Sequence, residues 1–393
     1  MLLSHLSIVS GVGAGLDTTS EALKSGRSGL RPRSFAGALD TWVGEVAELE
    51  GFHLEGDLAP FDCRNNRLAA LALAQDGFAA AVEAAREKYG PDRIGIFLGT
   101  STSGIEATEL AYLHREPETG AFPSDFRYAE THNTFSLALF VSNALRLTGP
   151  AMVVSAACAT TAKAFGNAAR MIAAGLCDAA IVGGADSLCA TTLYGFRSLG
   201  LLSSGPCRPF DATRDGISIG EAAGFAIVEK VGTDLPENGV LLRGFGESSD
   251  GHHMSTPDPE GVGARLAMER ALSSAGLAPH DIDYINVHGT ATLVGDAAED
   301  RALVALFGQQ KPCSSTKGLT GHTLGAAGIV EVVISALAIL NHLMPGSANT
   351  QQIDPALRSR YLLTSSGAAV DRVMSNSFGF GGSNCSLILE RAR

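Results

Sequence analysis

The 393-residue chain has little charge, few aromatic residues and no paired cysteine motif. Charged residues make up 18% of it, aromatic residues 6%, and there is a single tryptophan, Trp42. At 45% hydrophobic residues, this composition excludes a disordered or highly solvated chain, so most of it must form interior or interface. Basic residues are the scarcer sign: 29 Lys and Arg face 41 Asp and Glu, a formal net charge of −12 at pH 7. No nucleic acid is therefore expected as a partner. No stretch approaches the ~18 uninterrupted apolar residues needed to cross a bilayer, so no membrane span is expected. The opening MLLSHLSIVSGVGAG has no basic leader or cleavage site and reads as a first strand, which makes the cytoplasm the expected compartment. The seven cysteines are an odd number without a C-x-x-C pair, which fits reduced thiols rather than disulfides or structural zinc. Adjacent His252 and His253 point different ways in extended chain, so no metal site is expected there. The 46 glycines follow no repeat and indicate many tight turns.

Strand-like and helix-like runs alternate throughout, without a long Pro/Ser linker, which predicts an α/β architecture. In AMVVSAACATTAKAFGNAARMIAAG, Ala151–Ala157 reads as a buried strand. Ala159–Ala174 reads as a buried helix, with Ala162, Phe165, Ala169 and Ile172 at helical spacing. Cys158 lies at the seam, where helix N–H groups and the positive dipole end favour a nucleophilic thiolate. His288 in DYINVHGTAT and His322 in SSTKGLTGHTLGAAG stand at similar junctions, the latter ahead of a second alanine-rich helix, Gly325–Leu340. A cysteine with two histidine partners is a pattern for nucleophilic catalysis. The segments around Cys158 and His322 also echo each other, each running from strand through polar turn into an Ala/Gly-rich helix, which suggests two related halves.

These motifs resemble, in order and spacing, those of the β-ketoacyl-[acyl carrier protein] synthases, the condensing enzymes of the thiolase superfamily. The resemblance runs from SIVSGVGAG through KSGRSGL, GTSTSGI, SAACATTAKA, IVGGADS and CRPFDATRDGISIGEAAGFAIVE. It continues through SSDGHHMSTP, NVHGTAT and STKGLTGHTLGAAG to NSFGFGGSN, and so covers almost the whole chain. It implies a thiolase-like five-layered α-β-α-β-α fold made of two related halves. The halves would be residues 1–232, with the nucleophile and the dimer segment, and 240–393, with the two histidines. The turn-rich VGTDLPENG lies between them.

The resemblance also assigns roles. Cys158 would carry the acyl group as a thioester. His288 and His322, through neutral Nε2–H donors, would stabilise the enolate formed when malonyl thioester loses CO2. Lys317 would organise His322, linked to a glutamate, with Glu331 and Glu299 both at matching positions. The backbone N–H groups of Cys158 and Phe380 would serve as oxyanion donors, and Phe378 and Phe380 as gate residues on a glycine-flexed loop. Thr290, Thr292 and Ser255 would hold the phosphopantetheine arm. Arg64 and Arg67, at i and i+3 on one side of a helix, would dock acyl carrier protein. No cofactor is implied, because substrates arrive on the carrier's arm. The family's dimer would place Glu109–Ser136 at the two-fold interface, as a homodimer or paired with a ketosynthase-like subunit.

Relatives with other chemistry fit less well. Degradative thiolases carry a second reactive cysteine near the C-terminus; here that region reads NSFGFGGSN, and Cys385 beyond it reads as a strand residue. Starter-unit synthases have asparagine where His322 stands, and chain-length-factor subunits lack the nucleophile. Ser187–Ser203 and Glu109–Ser136 look closer to ketosynthases of aryl polyene pigment clusters than to fatty acid elongation enzymes, which remain the main alternative.

Overall fold

On the strand Ala179–Asp186, Ala179, Ile181 and Ala185 face one apolar cluster while Ala180 and Val182 face another. A strand buried on both faces reads as an unbroken apolar run, the mark of a sheet sandwiched between helices. The computed structural model describes residues 1–35, 39–232, 235–236 and 239–392. Its first half builds a sheet from β1 (Leu2–Ser10), β2 (Ile94–Gly99), β3 (Ala151–Val154), β4 (Ala179–Asp186) and β5 (Ala222–Glu229) in the order β3-β2-β4-β5-β1. The second half uses β6 (Val240–Ser249), β7 (Tyr284–Asn286), β8 (Pro312–Ser314), β9 (Arg360–Tyr361), β10 (Arg372–Gly379) and β11 (Ser383–Arg391) in the order β9-β8-β7-β10-β11-β6.

Leaving out the short β9, the two orders are the same, antiparallel on the side of β1 or β6 and parallel on the other. The halves meet where Leu2 and Leu3 pair with Leu241 and Val240. The expected boundary at 232–239 lies partly outside the described residues.

Three apolar clusters define five layers. Leu68, Phe78 and Leu137 of outer helices pack on Ile94, Ile96 and Ile181 of the first sheet. Between the sheets lie the helices Thr160–Ala173 and Ala327–Leu340, whose Phe165, Ile172, Ile329 and Val333 meet Val182, Ala226, Val373 and Leu387. The second sheet's far face, with Ile285, Met374 and Ile388, is covered by Met268 and Leu303. Ala327–Leu340 is buried at every position through Ile339, as a helix apolar on all sides must be.

One expected element differs. The run Ala151–Ala157 forms a strand only at Ala151–Val154, and that strand is the open edge of the sheet, with Met152 40% exposed. Apolar composition alone does not separate a central strand from an edge strand. Among the described residues, no single helix is long and apolar enough to cross a membrane.

Candidate active site

Cys158 stands just ahead of the helix Thr160–Ala173, and Ala157 before it holds φ at 50°. A non-glycine residue in the left-handed region is strained, by about 1–3 kcal/mol, and persists only where its surroundings fix it. Thr160 does so: its Oγ1 accepts from Ala156 N at 2.8 Å and donates to Ala157 O at 2.6 Å. The thiol is thereby turned inward, where burial pushes its pKa up to about 11. The Lys317 charge and the backbone N–H groups of Phe380 and Cys158 itself act in the opposite direction. The helix terminus therefore does not make a free thiolate here, because desolvation prevails.

His322 Nε2 lies 3.0 Å from Cys158 Sγ. Its backbone is pinned to the other half of the chain: His322 N donates to Ser218 O at 2.7 Å and Gly220 N donates to His322 O at 2.9 Å. The His288 ring meets that of His322 edge-on at 5.4 Å, and the ligating atoms of Cys158, His288 and His322 lie within 4.8 Å of one another. Burial first, then the Lys317 charge, hold both imidazoles well below the ordinary histidine pKa, so both are neutral at pH 7.

Lys317 Nζ donates to His288 O at 2.5 Å and to His288 Nδ1 at 3.4 Å, and forms a buried ion pair with Glu331. Occupied Nδ1 leaves the His288 proton on Nε2. Lys317 thus contacts His288 directly and acts on His322, for which it was expected, only through its charge, because the Lys317–Thr320 turn places its side chain beside the end of β7. Glu331 is the lysine's carboxylate, held also by Ser377 Oγ at 3.2 Å. Glu299 instead accepts from His288 N and Gly289 N, both at 2.8 Å, and from Asn376 Nδ2 at 3.2 Å, and burial raises its pKa to about 7.

A cavity of about 330 Å³ leads to the three side chains and is lined by Ser255, Thr290, Thr292, Phe378 and Phe380, which brings together the residues expected there. The Phe378 ring lies 6.1 Å from that of His288. Beyond Cys158 a second chamber of about 480 Å³, more open to solvent than the first, is lined by Ser101, Thr102, Thr192, Leu199 and Leu324. Phe196 and Phe380 border both spaces, their rings 5.7 Å apart. Phe380 sits on a loop that needs glycine: Gly381 and Gly382 have φ of 76° and 71°, and a Cβ on Gly382 would lie 2.7 Å from Asp250 Cβ.

The two arginines expected to dock the carrier each already hold a carboxylate of this chain. Arg64 forks onto buried Glu221 with contacts of 2.7 and 2.6 Å, and Arg67 onto Asp62 with contacts of 2.6 and 2.7 Å. Glu221 also accepts from Val46 N and Leu188 N, each at 3.0 Å, so Arg64 is a clamp inside the protein. Their spacing in sequence placed both on one helix side but did not reveal the carboxylates waiting there. None of Glu109–Ser136 lines the second chamber. Glu109 reaches it indirectly, accepting from Ala190 N at 3.1 Å and Thr191 N at 2.5 Å at the start of the helix Ala190–Ser198 that forms the chamber wall. Phe196 on that helix and Asn376 and Ser377 beside the GFGG loop were not singled out by sequence, although all three lie in segments that had drawn notice.

The chain matches the profile "Beta-ketoacyl synthase, N-terminal domain" over residues 6–233 and "Beta-ketoacyl synthase, C-terminal domain" over 240–351. It is 34% identical to the mitochondrial 3-oxoacyl-[acyl-carrier-protein] synthase of Arabidopsis thaliana, over 99% of this chain and 92% of the relative. It is 31% identical to 3-oxoacyl-[acyl-carrier-protein] synthase 2 of Vibrio cholerae, over 100% and 99%. Among solved structures it superposes on a ketosynthase (ApeO) in complex with its chain length factor (ApeC) from Xenorhabdus doucetiae. That likeness has a TM-score of 0.90 and 37% identity, covering 100% of this chain and 98% of that one. The ishigamide ketosynthase/chain length factor gives a TM-score of 0.89 at 27% identity, covering 100% of this chain and 99% of that one.

Proposed function

This chain belongs to the β-ketoacyl synthase family, and from that premise we propose a role for each side chain in the elongating condensation that it catalyses. The reaction joins an enzyme-bound acyl group to malonyl-acyl carrier protein, giving 3-oxoacyl-acyl carrier protein and CO2. Cys158 sulfur attacks the acyl thioester, its proton passing to His322 Nε2, 3.0 Å away, where it stays; the carrier's sulfur leaves as thiolate and takes a proton from water. Malonyl thioester then enters through the cavity lined by Thr290 and Thr292. Loss of CO2 leaves an enolate whose oxygen takes hydrogen bonds from Nε2–H of His288 and of His322. The enolate carbon bonds to the acyl carbon, and the oxyanion formed there lies against the N–H groups of Cys158 and Phe380. Cys158 sulfur then departs as thiolate and recovers its proton from His322 Nε2.

The observation that carries this reading is the lysine contact. A cation 3.4 Å from His288 Nδ1 keeps that imidazole neutral and its donor aimed at the thiol's side of the site. The same cation disfavours a metal among Cys158, His288 and His322, which supports a reaction whose substrates bring their own activation as thioesters. Cys158→Ala is expected to abolish condensation; normal turnover by that variant overturns the assignment.

The substrates come on a carrier protein in the cytoplasm. The resemblance of 187–203 and 109–136 to aryl polyene ketosynthases favours a polyene-type pathway over fatty acid elongation, and the likeness to a ketosynthase paired with a chain length factor supports an assembly of two such subunits. The partner is then a ketosynthase-like subunit, with a homodimer as the other arrangement. Profiling acyl chains on purified carrier proteins tests the pathway: conjugated unsaturated products agree, and saturated fatty acyl products reverse it.

A further inference from the structure

Asp186 is a fully buried carboxylate at the end of β4 that the condensation itself does not use. Its Oδ1 collects donors from one turn: Thr100 Oγ1 at 3.0 Å, Ser101 N at 2.7 Å, Thr102 N at 2.7 Å and Thr102 Oγ1 at 2.8 Å. Its Oδ2 accepts from Ala326 N at 2.9 Å, in the turn Leu324–Ala326 that follows His322 and opens the helix Ala327–Leu340. The first turn belongs to the N-terminal half and places Ser101 and Thr102 on the chamber wall, while the second contributes Leu324 to the same wall. The two turns pass so close that a Cβ on Gly325 would lie 2.8 Å from Asp186 Oδ2 and 2.6 Å from Ser101 Oγ.

We propose that Asp186 is a positioning residue: one carboxylate spans the two halves and sets, together, the distance of His322 from Cys158 and the shape of the acyl chamber. The argument is one of valence. A carboxylate accepts at both oxygens, so it can hold both turns at once. An amide has a single acceptor oxygen. With four donors around Oδ1, asparagine would keep its oxygen there and turn its NH2 group toward Ala326 N–H, donor against donor. Asp186→Asn should therefore release the turn beyond His322 and leave the Thr100–Thr102 turn in place.

The proposal rests on the catalytic reading above, and the test separates the two. Alkylation of Cys158 by iodoacetamide reports the thiol–imidazole contact whatever step His322 serves. In the full-length protein, Asp186→Asn is expected to slow alkylation at neutral pH by about tenfold and move its pH profile upward. Displacements of the order of 1 Å cost up to roughly 10²-fold in rate. Condensation per titratable Cys158 should fall at least as far, with KM for malonyl carrier within about twofold. A lowered melting temperature with alkylation profile and turnover per titratable thiol unchanged would mean a purely structural carboxylate and overturn the proposal. So would lost turnover with an unchanged alkylation profile. Altered alkylation with unimpaired condensation would uphold Asp186 and refute the role given to His322. Should Asp186→Asn fail to fold, Thr100→Val removes one donor from Oδ1. It is expected to change the acyl-length distribution of the products, and an unchanged distribution overturns the link to the chamber.

Discussion

Burial holds the Cys158 thiol at about 11, so at neutral pH the nucleophile depends on handing its proton to His322 rather than on standing ionised. Both imidazoles are kept neutral by the same burial and by Lys317. The sign follows. A histidine whose folded pKa lies below the ordinary 6.5 contributes stability that is present above that value and is lost as pH falls toward the folded one. Activity that needs neutral imidazoles should accordingly persist below pH 6.5. Lys317→Met removes the positive charge, makes imidazolium less costly, and should shift the acid limb of kcat to higher pH; a limb that does not move refutes the charge argument. His288→Ala and His322→Ala should still accept acyl groups, His322→Ala more slowly because it loses the proton acceptor. Both should lose malonyl decarboxylation by roughly 10²-fold or more, the scale of a missing oxyanion donor. Decarboxylation at the normal rate in both variants would exclude the enolate role.

The elements around the site are held by buried carboxylates more than by surface charge. Arg64 joins its helix Arg64–Leu73 to Glu221, which is fully buried, while the arginine side chain is 21% exposed. Removing one member of a buried pair costs about 3–5 kcal/mol, and Arg64→Ala should fall toward the lower end because water reaches the arginine. Denaturant unfolding measures this, and an unchanged midpoint would show that the pair contributes nothing. Arg67→Ala, whose partner Asp62 is itself 22% exposed, should cost less. Neither change is expected to raise KM selectively for carrier-bound over small thioester substrates; a selective rise would restore Arg64 or Arg67 to a docking surface.

At the scale of the whole molecule, the edge strand β3 exposes Met152, the neighbouring helix Ser136–Leu145 exposes Leu139 (39%), and the segment 109–136 exposes Tyr128 (57%) and Leu113 (78%), on a chain whose net charge is −12. An open sheet edge beside apolar side chains is a template for pairing with a second sheet. The protein is expected to sediment as a dimer at micromolar concentration, alone or with a ketosynthase-like partner. Met152→Glu should shift it toward monomer, because it places a charge on the pairing edge. A wild-type chain that sediments as an active monomer refutes the interface.

Much of this was legible before any coordinates. The alternation of apolar strand-like runs with helically spaced alanine-rich segments, together with the echo between the segments of Cys158 and His322, indicated an α/β fold of two related halves. The junction motifs marked the cysteine and both histidines, since local sequence records what a turn must present, and the family resemblance added the lysine and the cavity threonines. What the sequence could not decide was partnership across distance. Whether Lys317 serves His288 or His322, whether Arg64 faces solvent or Glu221, and whether Ala151–Val154 is a central or an edge strand each depend on which segments fold against one another. The Asp186 bridge, from the turn Thr100–Thr102 to Ala326, which lies 140 residues beyond the aspartate, is of the same kind. A carboxylate's environment is set by the backbone donors the fold brings to it, and those come from anywhere along the chain.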